Sequence, residues 1–270
     1  MFNDIVIVRG GGDLASGTIQ KLYRSGFRVL VLEVAKPTSI RRSVSYSEAV
    51  YEKEVEIEGI TAVHVGCLSE IENAWNSKKI PLIIDEEGEY IKSMKPKILV
   101  DAILAKKNLG TTIYMADITI AIGPGFTAGK DVDIVIETKR GHNLGRLIFT
   151  GQAIENTGIP GNVMGYSKER VIHSDSAGVM KNIVDIGAMV QKDEVIAYIG
   201  ENPVKATMSG LLRGILRDGS TVPVGFKIAD IDPRTSEKMN CYTISDKARN
   251  IAGGVLEAIL YLKYCQSREA

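Results

Sequence analysis

RGGGDLASG, residues 9–17, follows an apolar run at residues 5–8 and precedes a helix-like segment at residues 18–23. A second apolar run at residues 27–32 ends at Glu33. This order of strand, glycine turn, helix, strand and acid is that of a nucleotide-binding βαβ unit. The stretch therefore predicts a parallel sheet with a ligand site at the glycine turn.

The small residues of this stretch have a geometric reason. Gly10 allows a sharp turn off the strand, Gly12 leaves room for a phosphate near the backbone, and Ala15 allows close helix packing. Free N–H groups at the helix start favour an anion. The expected cofactor-binding segment is Gly10, Gly11, Gly12, Asp13, Leu14, Ala15 and Ser16. The alternative is a tight βα turn that binds no ligand.

Further charged residues lie where such a site would extend. Glu33 follows Gly10 by 23 residues, close to the spacing of an acid that accepts from ribose hydroxyls. Arg41 and Arg42 lie in the loop after that strand, where guanidinium groups could clamp a phosphate or a carboxylate. Asp101 ends another apolar run, and ligands bind at the carboxyl ends of such strands. The alternatives are a solvated basic turn for the arginines and a capping role for Asp101.

His142 is the imidazole best suited to acid–base chemistry or ligand contact. It lies in a glycine-rich loop between apolar runs, flanked by Arg140 and Arg146. Loops of this kind, held in place by strands, often carry function. His142 and Arg140 are therefore the candidate catalytic residues, and a loop histidine without a chemical role is the alternative.

Composition excludes several classes of function. Lys plus Arg and Asp plus Glu both number 33, so a net charge of zero gives no electrostatic case for nucleic-acid binding. Short apolar runs and the lack of a recognisable signal peptide predict a cytoplasmic protein without a membrane partner. The three cysteines are far apart, with no Cys-x-x-Cys or Cys/His cluster, so no bound metal is expected. The oligomeric state stays open, and a homo-oligomer is compatible with the sequence.

The element pattern predicts a fold of class α/β plus β in four regions. Residues 1–110 form a Rossmann-like parallel-sheet domain, because strands alternate with helices, and its glycine turn predicts a nucleotide site. Residues 111–170 form a β-rich, loop-bearing region, residues 171–232 a repeat module, and residues 233–270 a C-terminal helix that packs back on the first domain. The first domain has predicted strands at 4–8, 27–33, 61–65, 80–85 and 97–101 and predicted helices at 13–25, 44–51, 69–78 and 88–95.

The repeat module contains matched positions at an offset of 32 residues. They are Gly178 and Gly210, Gly187 and Gly219, Val190 and Val222, Ile196 and Ile228, Ala197 and Ala229, and Ile199 and Ile231. The pattern resembles the barrel-sandwich hybrid of biotinyl and lipoyl domains. In those carrier domains, a lysine in the hairpin between the two halves is modified. The hairpin here, residues 200–203, has no lysine, so a structural or docking role is predicted.

The C-terminal helix is predicted from Ser245, its N-cap, to Leu262. Its apolar face is Ile251, Val255, Ala258, Ile259 and Leu262. Gly253 and Gly254 lie inside it, and each weakens a helix by about 1 kcal/mol relative to alanine. Glycines at these positions indicate close packing against a sheet or a ligand loop.

Long motifs across the chain resemble one protein family. They are RGGGDLASG (9–17), RRSVSYSEAVY (41–51), IGPGFTAGKDVDIVIETKRGHNLGR (122–146), NTGIPG (156–161), DIDPR (230–234) and ISDKARNIAGGVLEAIL (244–260). The chain resembles the YqeB-type proteins, accessory factors of selenium-dependent molybdenum hydroxylase systems. Their first domain is distantly similar to XdhC-type molybdenum cofactor chaperones.

The resemblance implies a maturation factor that handles molybdopterin or its nucleotide, or that inserts labile selenium. It implies a molybdenum hydroxylase apoenzyme as partner and a molybdopterin-type cofactor or a nucleotide as ligand, with NAD as one candidate. Whether the chain catalyses a reaction stays open. The alternatives are an NAD(P)-dependent oxidoreductase and a non-catalytic scaffold that docks through residues 171–232.

Overall fold

A computed structural model describes residues 4–156, 158 and 161–269. Thr157, Ile159 and Pro160 of the NTGIPG motif therefore lie outside the described residues. The chain divides into two compact units. The first consists of Met1–Pro37, Ser45–Asn156 and Ile244–Ala270, and the second of Thr38–Val44 and Thr157–Thr243.

The first unit is built on a large sheet that is mostly parallel. The strands of this unit are β1 (Ile5–Arg9), β2 (Arg28–Glu33), β3 (Glu54–Ile57), β4 (Ile60–His64), β5 (Ile80–Ile84), β6 (Ile98–Asp101), β7 (Ile118–Ile122), β8 (Thr127–Ala128), β9 (Ile134–Ile136), β10 (Leu147–Ile148) and β11 (Gly151–Gln152). Within the described residues, nine of them form one sheet in the order β10-β9-β7-β6-β1-β2-β5-β4-β3. The seven central strands, β9-β7-β6-β1-β2-β5-β4, are parallel to one another. The two edge strands, β3 and β10, pair antiparallel with their neighbours.

Helices cover both faces of this sheet. They are α1 (Asp13–Arg24), α2 (Ala49–Glu52), α3 (Leu68–Asn76), α4 (Glu89–Met94) and α5 (Asp246–Glu269). Successive residues of β1 point to opposite faces, as the pleat requires: Val6 and Val8 pack in the core that includes α1 and α5, and Ile7 in the core that includes α3 and α4. The predicted mixed α/β fold with a large parallel sheet is thus confirmed.

The sheet continues past residue 110, where the sequence predicted a boundary. β7 and β9 extend it in parallel beyond β6, and β10 pairs with β9, so these three strands belong to the same sheet as β1, whereas β8 and β11 pair separately. The connection from β6 to β7 contains a 3₁₀ turn, Ile113–Met115, instead of the strand suggested by its apolar residues. Without a full helix between these strands, the alternating pattern that marked residues 1–110 is lost.

Helices α1 and α5 pack side by side and run in the same direction. A Cβ at Gly17 would lie 2.8 Å from the Ala248 carbonyl oxygen, and a Cβ at Gly253 would lie 3.7 Å from Lys21 Nζ one turn further along. On another side of α5, a Cβ at Gly254 would lie 2.3 Å from the Gly145 carbonyl oxygen. The two adjacent glycines of α5 therefore differ, because only the second is in close backbone contact.

The second unit is an antiparallel β structure. Its strands are β12 (Val171–His173), β13 (Gly178–Asn182), β14 (Met189–Val190), β15 (Val195–Ile199), β16 (Asn202–Lys205), β17 (Gly210–Ile215), β18 (Thr221–Val222) and β19 (Lys227–Asp232). In the part of this unit that the structure describes, they form two four-stranded sheets, β12-β19-β17-β14 and β16-β15-β13-β18. Each sheet combines strands from both copies of the sequence repeat, as in the pairs β14–β17 and β13–β18. The apolar repeat positions, such as Val190 and Val222, are buried in one shared core.

Residues 38–44 belong to the second unit although they directly follow β2 and Pro37 of the first. Ile215 N–H donates to the Ile40 carbonyl at 3.0 Å, and a Cβ at Gly214 would lie 2.8 Å from Ile40 Cγ2. The second unit is therefore assembled from two separate parts of the chain, and it extends beyond the predicted limits of residues 171 and 232.

Replacing Gly254 by alanine should lower the free energy of unfolding by about 1–3 kcal/mol, because the new methyl group overlaps the Gly145 carbonyl. Gly253→Ala is the matched control in the same helix. It should raise the free energy of unfolding by about 0.5–1 kcal/mol, because alanine is the better helix former and no atom lies closer than 3.7 Å. Urea denaturation of the two variants measures both effects, and effects of the same sign would contradict this account of the helix contact.

Candidate functional site

The most suitable place for a ligand is the sheet edge where strands β1 and β6 end. From β1 the strand order proceeds to β2 and β5 on one side and to β6, β7 and β9 on the other. The neighbours β1 and β6 are therefore the topological switch point, where open parallel sheets bind ligands outside the carboxyl ends of the strands. The glycine turn follows β1 at this edge, and α1 begins directly after it.

The first two glycines of the turn are required by the chain itself. Gly10 has a φ of +92°, and a Cβ there would lie 3.0 Å from the Ala102 carbonyl oxygen. A Cβ at Gly11 would lie 2.9 Å from Ser47 N, whose N–H donates to the Gly11 carbonyl at 2.8 Å. The turn is therefore packed between the loop after β6 and the segment Ser45–Glu48, and neither glycine needs a ligand to explain it.

Glu33 holds the glycine turn through its carboxylate. Its Oε2 accepts the Gly11 N–H at 2.7 Å, and its Oε1 accepts the Val34 N–H at 2.8 Å. Burial raises the pKa of Glu33 above its ordinary value of 4.5, while the hydrogen bonds from Val34 and Gly11 oppose that rise. The carboxylate expected to face a ribose is thus already bound to the backbone on both oxygens.

Asp101 has a similar role in the loop after β6. The Arg9 guanidinium donates to Thr111 Oγ1 at 2.6 Å, and the Thr111 hydroxyl donates to Asp101 Oδ2 at 2.6 Å. Asp101 Oδ1 also accepts the Ile103 N–H at 3.2 Å. All three polar side chains of this chain of hydrogen bonds are buried. Asp101 therefore anchors its own loop, in agreement with the capping alternative.

Glu137, which the sequence analysis did not select, repeats this arrangement after β9. Its carboxylate accepts the Lys139 N–H at 2.7 Å and the Ile154 N–H at 2.8 Å, and the residue is buried. Asp85 accepts the N–H groups of Glu89 and Tyr90 at the start of α4 in the same way. An acid directly after an apolar strand is the common sequence signal, and its function here is to fix the following loop.

The start of α1 provides unused hydrogen-bond donors. Leu14 N–H donates to Asp13 Oδ1 at 2.8 Å, and Ser16 N–H makes the first helical bond, to the Gly12 carbonyl, at 2.8 Å. The Ser16 hydroxyl accepts the Tyr46 N–H at 2.9 Å. The N–H groups of Gly12 and Ala15 make no hydrogen bond with any residue that the structure describes. Gly12 is half-buried whereas Ala15 is fully buried, so the Gly12 N–H is the donor open to an anion at this end of the helix.

Lys247, in the first turn of α5, is a second residue that the sequence analysis missed. Burial and the positive charge of Arg140 lower the pKa of Lys247 below its ordinary value of 10.5. The carboxylates of Asp13, Glu137 and Asp246 act in the opposite direction, so Lys247 lies within electrostatic reach of the start of α1. A cation in the first turn of a helix opposes the helix dipole, and this unfavourable position was the available sequence signal.

The two candidate catalytic residues occupy different surroundings. Arg140 donates to both carboxylate oxygens of Asp246, at 2.6 and 3.2 Å, and thus stands beside the first turn of α5. His142 is exposed and lines a groove of about 550 Å³ between residues 142–146 and the α5 residues 250–257. Arg140 is near Lys247, whereas His142 faces this separate groove.

Arg41 and Arg42 hold residues 38–44 within the second unit. The Arg41 guanidinium donates to the carbonyls of Asn240 and Thr243, at 3.0 and 3.3 Å, and is buried. Arg42 donates to the Ile215 carbonyl at 2.8 Å and to Asp185 Oδ1 at 2.6 Å. The sequence predicted that these arginines hold a phosphate or a carboxylate of a ligand. Their acceptors are instead residues of the chain itself, over 100 positions away.

Several absences can be stated for residues 4–156, 158 and 161–269. No group of three or more His, Cys, Asp or Glu side chains there could hold a metal ion. No helix among these residues is both long and apolar enough to cross a membrane. Cys67, Cys241 and Cys265 are free thiols.

Comparison with known proteins identifies one close relative by sequence. The chain is 49% identical over 262 residues to the uncharacterized protein YqeB of Escherichia coli (strain K12). The match covers 97% of this chain and 48% of YqeB, so the chain spans about half the length of this curated relative. The similarity supports the resemblance to YqeB-type proteins that the motifs indicated. No protein-family model matches the chain.

Solved structures give only distant similarities. The ectoine utilization protein EutE (DoeB) from Ruegeria pomeroyi, with product bound, is 11% identical, with 85% of each chain covered and a TM-score of 0.25. A succinylglutamate desuccinylase from Silicibacter sp. TM1040 is 12% identical, with 85% of this chain and 84% of that chain covered and a TM-score of 0.25. TM-scores of this size carry no argument about fold or function.

Glu33→Gln should lower the free energy of unfolding by about 1–3 kcal/mol, because an amide oxygen can replace only one of the two backbone-bound carboxylate oxygens. The free energy of unfolding of the variant should also lose the pH dependence that Glu33 causes in the wild type. The raised pKa of Glu33 means that the folded protein binds more protons than the unfolded chain just above pH 4.5. The protonation-linked part of the stability is therefore present below the unfolded pKa of Glu33 and is lost as pH rises through the folded pKa, whereas the two N–H hydrogen bonds to its carboxylate remain.

Urea unfolding at a series of pH values tests this effect, with Glu56→Gln as the control because Glu56 is exposed. Stability curves of wild type and Glu33→Gln that stay parallel across the range above pH 4.5 would contradict the assignment.

Proposed function

We propose that this chain is an accessory factor in the maturation of a selenium-dependent molybdenum hydroxylase, and that it binds a phosphate-bearing molybdopterin or nucleotide at the Gly10–Ser16 turn. The pathway and the apoenzyme partner are supported by the resemblance to YqeB-type proteins. The ligand site is supported by one observation above all: α1 begins at the topological switch point, and the half-buried Gly12 N–H there donates to no residue that the structure describes.

The residues around this helix start fit a phosphate group. Gly12 is half-buried and has no side chain to block the backbone donors. The positive end of the α1 dipole favours an anion, and Lys247 adds a positive charge close to Asp13. Arg140, held by Asp246, increases the positive potential at the same edge. Glu33 and Asp101 do not project toward this place as free carboxylates, since each accepts hydrogen bonds from its own loop.

The same proposal includes a finer interpretation of the two units. The first is Rossmann-like, because the spatial order β5-β2-β1-β6-β7-β9 corresponds to the doubly wound order of dinucleotide-binding sheets, with β4 and β3 added outside β5. The second is a barrel-sandwich hybrid, in which strands exchanged between two sequence repeats bury one core. Val179, Ile183 and Val224 of the second unit are each more than half exposed, which favours docking on a protein partner through this unit.

An NAD(P)-dependent oxidoreductase is the second candidate, because an acid at the end of β2 holds the adenine ribose in many dinucleotide-binding proteins. Two contacts weigh against it. A ribose beside Glu33 would have to share the carboxylate that accepts the Gly11 N–H. It would also compete with the segment Ser45–Glu48, which packs on Gly11. A ligand that approaches Gly12 and leaves Gly11 covered is more consistent with this packing.

Gly12→Val should weaken binding of molybdopterin and of nucleotides by about 100-fold or more, because a branched side chain would occupy the approach to the helix N–H groups. Isothermal titration calorimetry measures the affinities. Gly66→Val is the matched control, since Gly66 is exposed and its Cβ would meet no atom within 3.7 Å. Wild-type affinity of Gly12→Val for every ligand would disprove the site.

Affinity for the phosphate ligand should fall as pH rises through the lowered pKa of Lys247, since the ammonium charge is then lost. Lys247→Arg should move this fall to higher pH, because a guanidinium stays charged. Arg140→Gln should also move it upward, because Arg140 lowers the pKa of Lys247. Calorimetry across pH, with Lys130→Arg as an exposed control, tests both shifts. Identical pH profiles for wild type and Lys247→Arg would exclude Lys247 from the site.

A further inference from the structure

We propose that the groove between residues 142–146 and α5 is a second ligand site, which binds an oxyanion group, a carboxylate or a phosphate, of a small molecule. The groove is lined by His142, Asn143 and Arg146 on one side and by Asn250, Gly253 and Glu257 on the other. It is separate from the start of α1, and the inference does not depend on the function proposed above.

Gly253 is the first observation that points to a ligand. The neighbouring Gly254 is explained by packing, because its Cβ would lie 2.3 Å from the Gly145 carbonyl oxygen. A Cβ at Gly253 would meet only Lys21 Nζ, at an ordinary distance of 3.7 Å. Packing within the described chain therefore does not require glycine at 253, although glycine weakens the middle of a helix. Its effect is to keep the floor of the groove open.

The charges around the groove favour an oxyanion. Arg146 is exposed, and the one hydrogen bond of its guanidinium with a described residue is to Asn143 Oδ1 at 3.3 Å, which leaves most of the guanidinium donors unused. Lys21, above Gly253, makes no side-chain hydrogen bond or ion pair with any residue that the structure describes. The groove lining itself holds one guanidinium, that of Arg146, and one carboxylate, that of Glu257, and the Lys21 ammonium beside Gly253 adds a second positive charge. A guanidinium with unused donors can bind a carboxylate or a phosphate in a bidentate manner.

The size and shape of the groove indicate a small ligand. Its volume of about 550 Å³ lies within the usual range for small-molecule sites. His142, Arg146 and Glu257 are exposed, so the groove is open to solvent along its rim. An oxyanion held by Arg146 and Lys21 could therefore bind over Gly253 while the remainder of the molecule stays in water.

Titration of the full chain with inorganic phosphate and, separately, with succinate tests the site through the NMR signals of the His142 imidazole. A saturable shift with at least one probe is expected, and the probe that binds identifies the oxyanion as phosphate or carboxylate. Arg146→Gln should weaken that binding by about tenfold or more, and Gly253→Leu should abolish it. Gly12→Val should leave it unchanged, so failure of this site and failure of the site at α1 are distinguishable.

Gly253→Ala separates binding from folding. It should raise the melting temperature, because alanine favours the helix, and yet weaken the same probe several-fold by filling the floor of the groove. The proposal is overturned if neither probe gives a saturable shift, or if Arg146→Gln and Gly253→Leu bind as wild type does. A lowered melting temperature for Gly253→Ala would overturn it too, since glycine would then be required for packing.

Discussion

The hydrogen bonds between carboxylates at the strand ends and the backbone N–H groups of the following loops determine the shape of the candidate site. Glu33, Asp101 and Glu137 each bind the loop that leaves their own strand. Glu33 and Glu137 also reach a second segment, at Gly11 and Ile154. Buried N–H groups need acceptors, and a carboxylate supplies two strong ones. The loops of this edge are therefore held in fixed positions before any ligand arrives.

The parallel arrangement of α1 and α5 is the second feature with functional consequences. Two neighbouring helices that run the same way bring their positive dipole ends to one edge of the sheet, which is unfavourable unless negative charge is nearby. Asp13 and Asp246 partly supply it within the protein, one in each first turn. Lys247 and Arg140 add positive charge at the same edge, where the carboxylates of Asp13, Asp246 and Glu137 act on Lys247.

Local sequence patterns predicted most elements of the first 101 residues, although β3 was not predicted and the predicted helix 44–51 is instead a 3₁₀ turn, Tyr46–Glu48, followed by the short α2. The strands β1, β2, β4, β5 and β6 begin and end within one residue of their predicted limits, because buried parallel strands are continuous apolar runs between turn residues. The predicted N-cap of α5 is also confirmed, since Ser245 Oγ accepts the Ala248 N–H at 3.2 Å. These features depend on neighbours in the chain, which a sequence displays directly.

Features that depend on distant residues were not predictable in this way. Arg41 finds its acceptors 199 and 202 positions later, and no pattern near residue 41 indicates that residues 38–44 join the second unit. Glu33 was selected from the sequence for a ribose contact, and what the sequence did not indicate is the hydrogen bond that its carboxylate accepts from the Gly11 N–H. Lys247 was missed because its significance comes from Asp13 and Arg140, which are distant in sequence.

The discontinuous division of the chain has a consequence during protein synthesis. When the ribosome has released residues up to 156, the parallel sheet has all its strands, but α5 has not been made. The face that later receives Ile251, Val255 and Ile259 is then uncovered for the time needed to translate the second unit, on the order of ten seconds. The second unit cannot fold at this point either, because only residues 38–44 of it have been synthesised and residues 157–243 have not. The nascent chain is therefore exposed to aggregation until α5 docks, and an early encounter with a chaperone would protect it.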